Sequence, residues 1–136
     1  MGWPEFGDML GGQFQDHPYG TVAGSVINED PNFPAVRHLP PSFGLIDEFY
    51  QVKNFSREKS RVLLRLDTSK LPPNPNLINK NGDFPLVFYG SFAHDEKTWD
   101  NPDVYHMYFE AIRWALGMTD AEVTPRPLAG PLPKTN

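Results

Sequence analysis

Four histidines occur in the 136 residues, and three stand where a chain bends or an element ends. His17 precedes Pro18, His38 precedes Leu39-Pro40, and His94 is followed by Asp95 at the end of an apolar run. An imidazole titrates near pH 6.5 (roughly), so each of the three suits proton transfer near neutral pH. Together with Asp47, Glu48 and Asp95 they also form a donor set for a divalent metal, since imidazole and carboxylate suit zinc or manganese. No H-E-x-x-H motif is present, so such a metal site requires His17, His38 and His94 to converge in space. Read from residues alone, each histidine is first a hydrogen-bonded structural group. Cysteine is absent, which excludes disulfides, thiolate ligands and a cysteine nucleophile. Gly90-Ser91-Phe92-Ala93 is not a G-x-S-x-G elbow, and Ser91 falls inside a predicted strand.

The elements that must position these groups follow from the hydrophobic pattern. Leu86 to Phe92 reads as a strand covered on both faces, with Asn81-Gly82-Asp83 as a turn before it. Pro102 to Leu116 reads as a helix: Asp100 or Asn101 caps its start, Pro102 takes the first position and Gly117 ends it. Val104, Met107, Tyr108, Ala111, Ile112 and Ala115 lie on one face at helical spacing. A strand, a loop and a packed helix make half of an α/β unit. Ligands in open α/β sheets sit beyond the strands' C-terminal ends, where His94 and Asp95 fall.

Elsewhere, Thr21–Asn28 and Arg61–Leu66 read as strands, the first weakened by Gly24. Residues 1–20 and 67–81 read as loop, and 29–42, with four prolines, as irregular. Phe43–Val52 is a short strand or a turn-rich segment. Asp47 and Glu48 are adjacent, so in a strand they face opposite ways and one at most enters a pocket. Arg37 is a partner for either carboxylate. Trp99 and Trp114 read as core, and His106 as exposed.

The length suggests one domain. Net charge is −5 with no long basic run, so the electrostatic footprint of a nucleic-acid binder is missing. No run approaches the ~18 apolar residues of a membrane span, and the first residues lack the pattern of a signal peptide, which favours the cytoplasm.

Several stretches together carry a family resemblance: GGQFQDHP (11–18), EDPNFPAVRHLPPSFGLIDEFYQ (29–51), VLLRLD (62–67), VFYGSFAHDEKTW (87–99) and AIRWALG (111–117). Their order and spacing resemble the C-terminal part of the ThuA-like family, named for trehalose utilisation. The resemblance implies an α/β fold, a partial three-layer α/β/α sandwich of the glutamine amidotransferase-like, flavodoxin-like type, with the N-terminal half missing. Residues 1–128 then form the domain and 129–136 a proline-rich tail. The resemblance also implies a role in the utilisation of trehalose or a related glycoside or keto-sugar, without an amidotransferase cysteine.

On this reading His94, Asp95 and Glu48 are the acid/base residues. His17, His38, Asp47 and Tyr50 contact the sugar, and His17, His38 and His94 are the candidate metal ligands. The expected partner is a small carbohydrate, with no nucleic acid and no membrane, and a homo-oligomer is a further expectation. The alternatives are a non-catalytic carbohydrate-binding or interaction module, or an inactive truncated fragment. Ala93 departs from the family pattern, in which a glycine precedes the histidine; glycine reaches conformations alanine avoids.

Overall fold

A computed structural model describes residues 3–76 and 92–126. They form a mixed α/β structure with two small antiparallel sheets and two helices. The predicted strand at 86–92, apart from Phe92, lies outside the described residues, as do the turn at 81–83, Ser91 and the tail from residue 127.

The chain opens with α1 (Pro4–Met9), Pro4 taking the first-turn position that needs no amide hydrogen. Next come β1 (Gln13–Asp16), β2 (Thr21–Asn28), β3 (Ser42–Glu48), β4 (Gln51–Lys53) and β5 (Leu64–Leu66). The expectation of loop across residues 1–20 is thus corrected: α1 and β1 both form there. β1 pairs with β4, so its short alternation is completed by a distant strand rather than by a local signal. The other sheet has the order β3-β2-β5, with β2 central and antiparallel to both neighbours.

The predicted strand over 21–28 forms over that span. The one predicted at 61–66 is shorter, because Arg61 turns aside to pair with Asp30 at 2.6 Å. Gly24, Val26 and Asn28 of β2 and Leu45 and Asp47 of β3 are the buried positions of their strands, Gly24 standing opposite Leu45 and Asn28 opposite Leu64 of β5, which is buried throughout. Gly24 does more than weaken a strand. A Cβ there would lie 2.6 Å from Phe49 and 2.7 Å from Leu66, so the missing side chain lets both pack over the sheet.

Residues 29–41 are irregular, as four prolines require, yet they form a wall of the core. Phe33, Ala35, Val36 and Leu39 are buried, and the Asn28 side chain donates to the carbonyls of Val36 and Leu39.

This wall runs along α2 (Pro102–Ala115). The Asn101 side chain accepts from the Asp103 amide, Pro102 opens the helix and Gly117, at φ 70°, ends it. Val104, Met107 and Ala111 are buried as predicted, and Tyr108 is half-buried. Ile112 and Ala115 are exposed, and Glu110 is buried instead. The buried face is rotated because the wall contacts α2 along its flank. Phe33 packs on Trp114, Arg37 pairs with Glu110 at 3.6 Å, and His38 bonds to the Asp103 carbonyl. Arg37 therefore serves Glu110 rather than Asp47 or Glu48. Trp99 is half-exposed, stacked on Tyr108, and not core. No helix among the described residues is long and apolar enough to cross a membrane.

Candidate functional site

β3 ends on Asp47 and Glu48, and the pleat separates their roles. Asp47 is fully buried. Its carboxylate accepts the amide hydrogens of Ala93 at 2.5 Å, Glu48 at 2.9 Å and Asp95 at 3.2 Å. The amides on either side of His94 are thus tied to one anion, which fixes where the imidazole leaves the backbone. Among the described residues, the contacts of the Asp47 carboxylate are to these backbone amides. Ala93 adopts φ 76°, the left-handed region, so the departure from the family's glycine puts an alanine in a glycine-favouring conformation. The indole of Trp99 donates to the Ala93 carbonyl at 3.1 Å, so the peptide groups around this turn are held on both sides.

Glu48 points the other way, and its side chain is 14% exposed. One carboxylate oxygen lies 3.4 Å from His17 Nδ1 and the other 3.4 Å from His94 Nδ1. The Tyr50 hydroxyl lies 2.7 Å from the same His94 nitrogen. When that nitrogen carries a proton, the phenol oxygen and Glu48 are both acceptors for it. When it is bare, it accepts from the Tyr50 hydroxyl. His17, Glu48, Tyr50 and His94 therefore form a connected proton-handling cluster, with both imidazoles about half-exposed to arriving ligands.

The cluster also has an aromatic flank that sequence reasoning missed. Phe14 packs edge-on against Tyr50, ring centres 5.1 Å apart, and lies 6.2 Å from the His17 ring. The alternation of Gln13-Phe14-Gln15-Asp16 was the available signal, submerged in a glycine- and proline-rich stretch.

The Asp95 side chain is committed to another contact. Its carboxylate accepts from the Lys97 amide at 2.9 Å, capping a short helical turn over Glu96–Asp100, and it borders a shallow depression of about 310 Å³ with Ile46, Lys97 and Thr98. His38 makes its contacts on α2. Its Nε2–H donates to the Asp103 carbonyl at 3.0 Å, and its ring stacks on His106 at 4.3 Å. The convergence of His17, His38 and His94 that zinc or manganese requires is therefore not formed. Among the described residues, no group of three histidine or carboxylate side chains is arranged to hold a metal ion.

Behind the cluster, the Tyr108 hydroxyl donates to the Phe92 carbonyl at 3.0 Å. Burial, with the nearby charge of Asp47, pushes its pKa up to about 12. It remains a hydrogen-bond donor across the physiological range, anchoring the residue that leads into Ala93 and His94.

Comparison with known proteins adds one finding. The family model described as ThuA, trehalose utilisation, matches residues 1–115. No curated protein and no solved structure matches the chain.

Proposed function

Since the chain belongs to the ThuA family, associated with trehalose utilisation, we propose that the cluster of His17, Glu48, Tyr50 and His94 binds a sugar and moves a proton on it. The observation that carries this is the placement of Glu48, one oxygen toward each imidazole at 3.4 Å. A carboxylate so placed stabilises an imidazolium and sets which ring nitrogen faces the ligand. Its contact is with Nδ1 of both rings, which leaves Nε2 of each to meet a hydroxyl or an acidic C–H.

His94 is the better general base. Asp47 and Trp99 fix its backbone, and Tyr50 holds its inner nitrogen. His17 offers a hydrogen bond to a substrate hydroxyl. The reaction this fits is removal of a proton next to the carbonyl of a keto-sugar, with His94 taking it and Glu48 holding the resulting imidazolium. Asp95 and His38, in contact with other partners, stand outside the chemistry, and no step is routed through a metal. For the architecture we propose the partial three-layer α/β/α sandwich that the motif order supports; an experimental structure tests it.

The test is deuterium wash-in at the carbon beside the carbonyl of a keto-disaccharide, followed by NMR in D₂O. Wild-type protein catalyses exchange. Glu48→Gln and His94→Ala lower the rate by roughly 10²-fold or more, the usual contribution of a positioned acid or base. Equal exchange with both variants would exclude this cluster.

A second reading is a sugar-binding module without chemistry. The exposure of both imidazoles favours it, because acid/base sites ordinarily exclude water. Sugar binding that survives in the His17→Ala/His94→Ala double variant, with no wash-in by wild type, would decide for it.

A further inference from the structure

We infer that Phe14 is the apolar platform of the site: its exposed ring face lies against the C–H face of the sugar and sets which sugars bind. This rests on the reading of the neighbouring cluster as a sugar site, and adds the residue that supplies its apolar contact.

The argument begins with the register of β1 on β4. Gln13 faces Lys53 and Phe14 faces Val52, but the next pair is Asp16 with Gln51, so Gln15 is an extra residue. In an unbroken strand, side chains three positions apart project from opposite faces. The bulge together with the end of β1 at Asp16 breaks that period, and the rings of Phe14 and His17 lie side by side, centres 6.2 Å and planes 26° apart. Bulges recur where a side chain must be re-aimed beside a site.

Gly12 fixes how closely β1 approaches β4: a Cβ there would lie 2.3 Å from Val52 Cγ1 and 3.0 Å from the Lys53 carbonyl. The Tyr50 ring, at 76° to the Phe14 plane with centres 5.1 Å apart, braces Phe14 on one side.

Phe14 is 52% exposed although its ring is braced by Tyr50 and lies beside His17. The negative face of an aromatic ring attracts the slightly positive C–H bonds on the apolar face of a sugar. Glu48 and His17 stand beside it to take the hydroxyls at the sugar's rim. An apolar face beside two polar groups selects for a ring with one C–H face and against open-chain polyols.

The test is saturation-transfer NMR and titration of the full chain with trehalose, with mannitol as the open-chain comparison. Wild type is expected to bind trehalose, with saturation concentrated on C–H protons of one ring face, and to bind mannitol more weakly. Phe14→Ala and Phe14→Leu weaken trehalose binding roughly 5- to 10-fold, as expected for the loss of an aromatic contact, whereas Phe14→Trp retains it. The leucine variant keeps apolar bulk on the β1–β4 pair, so its loss of affinity is read as loss of the ring.

Undiminished trehalose binding by Phe14→Leu, with Glu48→Gln still weakened, overturns the platform and leaves the sugar site standing. Absence of trehalose binding by wild type overturns the platform, whereas the sugar reading falls only if the deuterium wash-in on the keto-disaccharide fails as well.

Discussion

At the scale of single residues, the site rests on a contrast between two adjacent carboxylates. Asp47 is enclosed and committed to three backbone amides, whereas Glu48 reaches the surface and is shared between two imidazoles. The period of a strand predicted that only one could face a pocket; which one depended on where the sheet's interior lay. Ala93 was legible too, as the residue standing in for a glycine, and its φ of 76° gives that departure a physical meaning. A left-handed conformation costs an L-residue about 1–2 kcal/mol, and glycine returns part of that gain through its freedom in the unfolded chain, about 0.5–1 kcal/mol. Ala93→Gly is therefore expected to stabilise the protein by roughly 0.5–1 kcal/mol, read as a higher urea midpoint at unchanged slope. A lower midpoint would mean that the alanine methyl makes a packing contact worth more than the strain. His38 shows the opposite case. Its residue type and loop position matched those of His17, and only its packing against α2 separates them.

Elements were most legible where local signals agreed. The helix from Pro102 carried its cap, its first-turn proline and its terminal glycine in the sequence, and all three act as expected. Its buried face was less legible. Glu110 enters the interior only because Arg37, from a distant irregular segment, and Arg113 meet it there. β1 and β4 were missed or blurred because each is stabilised chiefly by the other, from about forty residues away in sequence. The central strand β2 offers a paired test of how closely its sheet is packed. At Gly24 an added methyl meets Phe49 and Leu66, whereas at Gly44 of β3 nothing lies within 4 Å. Gly24→Ala is expected to cost about 1–3 kcal/mol through overpacking. Gly44→Ala, at an exposed strand position, should change stability by less than about 0.5 kcal/mol. Denaturant titration of the two variants side by side reads the difference, and equal effects would show that Phe49 and Leu66 can move aside without cost.

At the scale of the whole molecule, charge ties the irregular segments to the regular ones, and the coupling is read through pH. The hydrogen bond from Arg113 holds the Glu110 carboxyl below its ordinary 4.5, with the charges of Arg37 and His106 acting the same way against an opposing effect of burial. Burial pushes Asp67 upward, but the hydroxyl and amide of Ser69 and the ammonium of Lys70 together outweigh it and leave its carboxyl below 3.8. Both groups bind a proton more readily in the unfolded chain than in the folded one. Stability linked to them is fully present above their unfolded values and is lost as pH falls through the lowered folded values. The protein should therefore lose stability steadily from about pH 5 downward. The slope of unfolding free energy against pH should be shallower in Glu110→Gln and in Asp67→Asn than in wild type over that window. Above about pH 6 the two carboxyls are ionised in both states, so the slopes of variants and wild type should there coincide. A Glu110→Gln slope equal to wild type between pH 5 and 3 would mean that the Arg37 and Arg113 contacts do not distinguish the folded state, and that apolar contacts such as that of Phe33 with Trp114 hold the irregular wall against α2.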